Sequence, residues 1–268
     1  MIRLRLCADT AWGLCAAPIH MNPDDALRDL DGQLRNAVTF FWTTRVAQGE
    51  RQGEETGDRD RGGRAAVTGG GHCGEFVRLV RNLIIGSGVP DARVFTARRT
   101  TDLPGYFRAA KDWDLLAVAD GTLLAVVELK SQVGSFGNNF NNRTEEAIGN
   151  ATDLWTAFRE GAFKSSPRPW LGYFMMLEDA PGSTRPVGVR EQHFKVFKEF
   201  RETSYADRYA ILCKRLVLER LYDAACLIMS SRESGPGGDY REPDPRLSFR
   251  LFATSLVGHA MAFARLRG

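Results

Sequence analysis

The chain of 268 residues carries 36 Lys and Arg against 33 Asp and Glu, a formal net charge of +3, so bulk charge points to no particular partner. Its 43% hydrophobic and 26% charged residues are the proportions of an ordinary folded protein and exclude a disordered or collagen-like chain. No run approaches the roughly 18 uninterrupted apolar residues that a membrane span needs, and five cysteines without a C-x-x-C pair read as reduced thiols in a cytoplasmic protein.

In chain order, Asp9 interrupts the mildly apolar start, which argues against a secretion signal. Met21 is followed by a helix-start pattern with Pro23 and the acids Asp24 and Asp25 at the positive dipole end. We expect residues 1–20 to be a dispensable extension and 21–268 a single domain. Leu27, Leu30, Leu34, Val38, Phe41 and Trp42 predict an amphipathic helix over 24–47. Residues 49–64, rich in Gly and in charges of both signs, predict a flexible loop.

The glycine run Gly69–Gly71 leads into a helical face of Phe76, Leu79, Val80, Leu83 and Ile84 and lacks the Lys-Ser/Thr of a phosphate-binding loop. A short strand is expected over 93–97, and Pro104-Gly105 marks a turn. Two apolar runs, 114–119 and 123–130, flank Asp120-Gly121 and predict a hairpin. Residues 145–160 read as a helix that starts at a capping box of Asn142 and Glu145 and stops at Gly161. Residues 170–177 read as a buried strand, and 205–230 and 247–266 as helices. A helix between the third and fourth strands implies a crossover to a parallel neighbour, hence an α/β fold with a mixed sheet and helices on both faces.

Chemistry concentrates on the hairpin. Glu128 and Lys130 are two apart in a strand and share one face, while Val127 and Leu129 share the other. Charges set into an otherwise apolar strand need an ion, each other or water as partners. Whether Asp114 joins them depends on register. A bare two-residue loop at Asp120-Gly121 puts Asp114 opposite Val127, on the wrong face, whereas a three-residue loop or a bulge of equal effect turns it toward Glu128. We expect the latter. Asp114, Glu128 and the carbonyl of Leu129 would then form a hard oxygen site suited to Mg²⁺, with Lys130 orienting a water and stabilising developing charge on a phosphodiester.

The stretch 131–146 follows as an expected polar loop holding Asn138, Asn139, Asn141, Asn142 and Arg143, side chains that hydrogen-bond bases and phosphates. The segment 181–220 holds nine bases and five acids, enough to track phosphates or simply to make a solvated face. Glu75 and Glu146 are further acids that this topology brings within reach of a metal, although a surface role for Glu75 and a helix-dipole role for Glu146 are the plainer readings.

Helix, three strands, helix, strand, with Asp on the second strand and E-x-K on the third, resembles the PD-(D/E)xK nuclease core. More narrowly, LPGYFRAAKDWDLLAV, ELKSQVGSFGNNFNNRTEEAIGNATDLW, PWLGYFMMLED and LCKRLVLERLYDAACL resemble the XhoI family of type II restriction endonucleases over about residues 65–262. The resemblance implies a three-layer α/β/α core over about 75–178, followed by a helical C-terminal part over 205–266. It also implies a homodimer that cleaves double-stranded DNA with Mg²⁺ at a short palindrome, CTCGAG, leaving a 5′-phosphate. Asp114, Glu128 and Lys130 fall on the family's catalytic positions, and Trp113 stands where the motif's proline precedes the first Asp. The C-terminal helices become candidates for the dimer interface, and a cognate DNA methyltransferase is expected as a separate protein. Two other readings keep the fold but change the activity: a non-catalytic DNA-binding protein, or a repair or recombination nuclease that recognises DNA structure.

Overall fold

The computed structural model describes residues 23–56, 71–89, 93–97, 99–164 and 166–266, so the expectations for 1–20 and for 57–64 lie outside the described residues. Among the described residues seven strands form: β1 (Val94–Phe95), β2 (Asp102–Pro104), β3 (Ala110–Asp112), β4 (Leu115–Ala119), β5 (Thr122–Gln132), β6 (Trp170–Glu178) and β7 (Ala224–Ser230). β2 and β3 pair as a separate hairpin, and the rest make one sheet in the order β1-β4-β5-β6-β7. The β1–β4 and β4–β5 pairs are antiparallel, whereas β5–β6 and β6–β7 are parallel, so the sheet is mixed as expected. Every residue of β6 and β7 is buried, as strands covered on both faces must be.

Among the described residues five helices longer than two turns surround the sheet: α1 (Leu30–Thr56), α2 (Gly74–Gly86), α3 (Phe136–Arg159), α4 (Tyr205–Leu218) and α5 (Phe249–Arg265). Strand alternation sends Leu115, Ala117, Val127, Phe174 and Cys226 into one apolar cluster with α1, α2 and α5. Leu116, Val126, Tyr173, Met175 and Leu227 enter a second cluster with α3 and α4. By length and composition the segment Pro245–Arg265 would suit a membrane. Here Phe249, Phe252, Leu256, Val257 and Ala260 of that segment lie in the first cluster.

Several expected boundaries shift. α1 runs to Thr56, so 49–56 is helical rather than loop; Glu50, Arg51, Gln52, Glu54 and Glu55 are good helix formers that extend a helix already nucleated upstream. The expected helix over 205–230 ends at Leu218, where Arg220 turns left-handed at φ 56° and the Leu221 N–H closes on the Leu216 carbonyl. β7 follows, its start fastened to β6 by Asp223, whose N–H donates to the Leu171 carbonyl and whose carboxylate accepts the Leu171 N–H. A short run buried on all sides has no period to separate strand from helix. The β2–β3 hairpin had no sequence signal beyond its turn, since three-residue strands carry too few positions to show alternation.

The loop between β4 and β5 is the two-residue one, with Asp120 and Gly121 at φ 52° and 73°, as a type I′ turn requires. The expected register correction therefore comes in its second form, a bulge, and not as a three-residue loop. Val118 pairs with Leu123 and Ala117 with Ala125, which leaves Leu124 without a partner and turns the rest of the ladder by one residue.

Gly172, in the middle of β6, marks a close approach: a Cβ there would lie 2.4 Å from the Trp170 ring and 2.9 Å from Phe252. Gly172→Ala should cost about 1–3 kcal/mol by overpacking and lower the thermal midpoint by roughly 2–10 °C. An unchanged midpoint in a calorimetric scan would show that Trp170 swings aside freely.

Candidate active site

The bulge decides which face Asp114 presents. Below it Leu116 pairs with Val126 and Leu115 with Val127, and one further step brings Asp114 opposite Glu128, on the side that faces α3. The Asp114 carboxylate accepts the Leu129 N–H at 2.7 Å, which fixes it across the two strands. Glu128 is 1% exposed, and an isolated carboxylate buried to that degree costs several kcal/mol. Its oxygens are shared out instead: Lys111 Nζ donates to Oε2 at 2.8 Å, Lys130 pairs with Oε1, and Asn150 Nδ2 donates to Oε1 at 3.2 Å. Lys111 also lies over the ring of Trp113, just past the end of β3, at 4.1 Å.

The electrostatics separate the two acids. Burial pushes the Glu128 carboxyl up, but the charges of Lys130 and Lys111 outweigh it and hold the group below its ordinary value. Asp114 goes the other way, raised to about 6 by burial and by the charge of Glu128, against a smaller opposing pull from Lys130. Burial lowers the Lys130 ammonium, yet the charges of Glu128 and Asp114 more than restore it, so it stays protonated. Among the described residues no group of three or more His, Cys, Asp or Glu side chains is arranged around one point. A cation between Asp114 and Glu128 would have to complete its shell from backbone oxygen and water, the habit of Mg²⁺ rather than zinc. Two hard carboxylates, one of them disfavoured as an anion until a cation arrives, fit such an ion.

The other expected residues divide. Residues 136–146 are helical rather than loop, so the asparagines ride on the first turns of α3, and the expected capping box of Asn142 and Glu145 is not used because the helix begins at Phe136. Phe136, Phe140, Ala147, Ala151 and Leu154 continue one apolar stripe whose first members the asparagines and Gly137 obscured. Asn138, Asn141 and Asn142 lie exposed on the opposite side. Asn139 bonds back to the Ser135 carbonyl at 3.1 Å. Arg143 is turned inward with its Nη1 on Glu146 at 2.7 Å and its Nε buried without a hydrogen-bond partner among the described residues. Glu75 pairs with Arg78 and Glu146 with Arg143, and neither is joined to Asp114 or Glu128 by a hydrogen bond or ion pair among the described residues.

Two residues of the cluster escaped the reading of the sequence. Asn150 stands in the stripe Ala147, Ala151 and Leu154, where a polar side chain must find a partner, and that break was its signal. Lys111 had none, because only the unforeseen β2–β3 hairpin carries it back over β5.

The family model described as Restriction endonuclease XhoI matches residues 52–242. The type II restriction enzyme BstVI of Geobacillus stearothermophilus is 50% identical over 219 residues, covering 80% of this chain and 97% of that protein. AbrI of Azospirillum brasilense, also a type II restriction enzyme, is 46% identical over 176 residues, 65% of this chain and 78% of its own. The type II restriction enzyme XhoI of Xanthomonas vasicola is 42% identical over 196 residues, 72% of this chain and 77% of its own. No solved structure matches the chain.

Lys111→Met removes one of two cations from a buried carboxylate while Lys130 and Asn150 remain, and should cost about 1–3 kcal/mol in urea unfolding at pH 7. A depressed Glu128 contributes stability above its ordinary value of 4.5 that is lost as pH falls through the lower folded value. The gap between parent and variant should therefore be full above pH 4.5 and narrow below it. A gap of constant size across that range would mean that Lys111 acts only through packing.

Proposed function

This chain belongs to the XhoI restriction endonuclease family and is a type II site-specific deoxyribonuclease, and from that premise we propose that Asp114, Glu128 and Lys130 form the centre that cleaves duplex DNA. The observation that carries the reading is the register: the bulge at Leu124 of β5 sets Asp114, just before β4, against the buried Glu128, with Lys130 on the same face.

Asp114, Glu128 and the Leu129 carbonyl would hold Mg²⁺, which supplies Lewis-acid neutralisation of charge on the phosphodiester. The protein's own part is to prepare the place. Lys111 and Asn150 hold the Glu128 carboxylate still, and the Leu129 N–H fixes Asp114. Lys130, kept protonated by its two acidic neighbours, orients the attacking water and stabilises charge as it develops on the phosphate. With Asp114 and Glu128 ionised against Lys111 and Lys130 the cluster is neutral, so a dication is balanced by the negative charges of a phosphodiester and an attacking hydroxide. The exposed Asn138, Asn141 and Asn142 supply base contacts from one face of α3, and Arg143 a phosphate contact once released from Glu146.

We further place these residues in a PD-(D/E)xK core of three layers within one domain, working in the cytoplasm as a homodimer on CTCGAG beside a separate methyltransferase. Exposed Leu218 and Leu251 on α4 and α5 support a subunit contact through the C-terminal helices. Digestion of an unmethylated plasmid carrying CTCGAG should give discrete fragments with Mg²⁺ and none in EDTA. Glu128→Ala should cut at least about a hundredfold more slowly. Discrete cuts elsewhere would reject the specificity alone. Retained binding without cleavage by the parent would make the protein a DNA binder on the same fold, and preference for branched over linear duplex a structure-specific nuclease.

A further inference from the structure

The tip of the β2–β3 hairpin, between Pro104 and Ala110, carries two aromatic side chains into solvent. Tyr106 is 54% and Phe107 70% exposed, and their rings meet edge to face with centroids 5.0 Å apart. The backbone beneath them is fastened. Asp153 of α3, itself buried, accepts the N–H groups of Tyr106 and Phe107 at Oδ1, each at 2.8 Å, and Arg108 Nε at Oδ2 at 2.7 Å. Gly105 is needed for this fit, because a Cβ there would stand 2.5 Å from Asp153 Oδ2. Arg108 also donates to Asn150 Oδ1 at 2.7 Å, and Asn150 donates to Glu128 at 3.2 Å. A continuous hydrogen-bonded chain thus joins Glu128 to the tip, and Lys111, on the same hairpin, makes a second connection.

A buried acid, a glycine and an Arg–Asn contact are committed to a backbone whose outward side chains contribute little apolar burial. Such preorganisation is expected where a partner is to be met, since it removes the entropic cost of ordering the contact. The partner's chemistry follows from the neighbours. Arg108, with 42% of its side chain exposed, flanks the pair with positive charge. From Asn142 to Asp153 along α3 is about 16 Å at the helical rise, about five base pairs of duplex at 3.4 Å each. A duplex that reaches the exposed asparagines and Glu128 therefore passes the tip as well.

We propose that Tyr106 and Phe107 form an apolar wedge that packs on the sugars and bases of duplex DNA beside the cut and opens a base step, with Asp153, Arg108 and Asn150 as positioning residues that set the wedge relative to Glu128. The proposal rests on the reading of Asp114, Glu128 and Lys130 as a duplex-cleaving centre. Apolar side chains inserted at a step unstack it and bend the helix, and aromatic stacking on bases tolerates any sequence, so the wedge would act on the DNA's shape and leave base readout to α3.

The test uses the full chain and a linear duplex carrying the site that the parent cuts, with 2-aminopurine at the flanking steps and Ca²⁺ in place of Mg²⁺ for binding. Tyr106→Ala/Phe107→Ala should bind about ten- to a hundredfold more weakly, lose the rise in 2-aminopurine fluorescence, and elute from gel filtration with the parent. Asp153→Asn, which keeps both rings and loosens the clamp, should lose most of that rise while keeping most of the affinity. If the parent cuts and the double variant binds and unstacks as well as it does, the wedge is wrong and the cleavage centre stands. Lost binding together with a smaller species on gel filtration makes the pair a subunit contact and overturns the proposal too. A parent that neither binds nor cuts duplex removes the wedge together with the reading beneath it.

Discussion

Glu128 is a carboxylate that the fold has buried almost completely, and three side chains from three different parts of the chain answer for it. Lys130 comes from the same strand, Lys111 from the β2–β3 hairpin and Asn150 from α3. Because an uncompensated charge in that position costs several kcal/mol, hairpin and helix cannot settle anywhere that leaves Glu128 unpaired. The same contacts therefore orient the helix that carries the exposed asparagines and the hairpin that carries the exposed aromatics. A polar interaction that contributes little net stability has a large effect on where the surrounding elements sit.

That arrangement hangs in turn on a single unpaired residue. A two-residue loop of the type I′ kind follows from Asp120-Gly121, and alone it would turn Asp114 to the face that packs on α1, α2 and α5. Leu124, left out of the ladder, reverses the parity, so that Leu115 and Val127 go to one core while Asp114 and Glu128 meet on the other side. Since a slip of one residue exchanges the two faces of a strand, the bulge is as necessary to the site as the acids are. Deleting it would turn Asp114 onto the apolar side chains of one core and Leu115 toward α3.

Much of this was legible in residue order. The alternation around Glu128 and Lys130, the hairpin at Asp120-Gly121, the crossover helix and the parallel partner β6 all carry strong local signals, and the need for an odd register correction followed from the faces alone. What stayed hidden has a common cause. The helical start of α3 was masked because asparagine and glycine are turn formers by local preference, and packing of Phe136 and Phe140 against α4 overrides it. β7 was masked because a run buried on both sides looks alike in either conformation. Lys111 was masked because contacts closed by a hairpin of two three-residue strands depend on tertiary placement, which no period in the sequence records.

The buried acids differ in how far their own chain satisfies them. Asp153 is buried, as Asp114 largely is, but it accepts two backbone N–H groups and a guanidinium; against the upward push of burial those donors keep it below the ordinary range. Glu178 is spent likewise, on the Gly134 N–H and on Arg232. Asp114 has the Leu129 N–H, a like charge opposite, and a carboxyl raised to about 6. A carboxylate has about four acceptor positions, and the more of them its own chain fills the less it gains from an ion, so Glu128 with three donors gains less than Asp114 with one. The acid left short of donors and pressed by a neighbouring carboxylate gains most from one. Burial alone does not set these acids apart; the balance between burial and the donors supplied to each does.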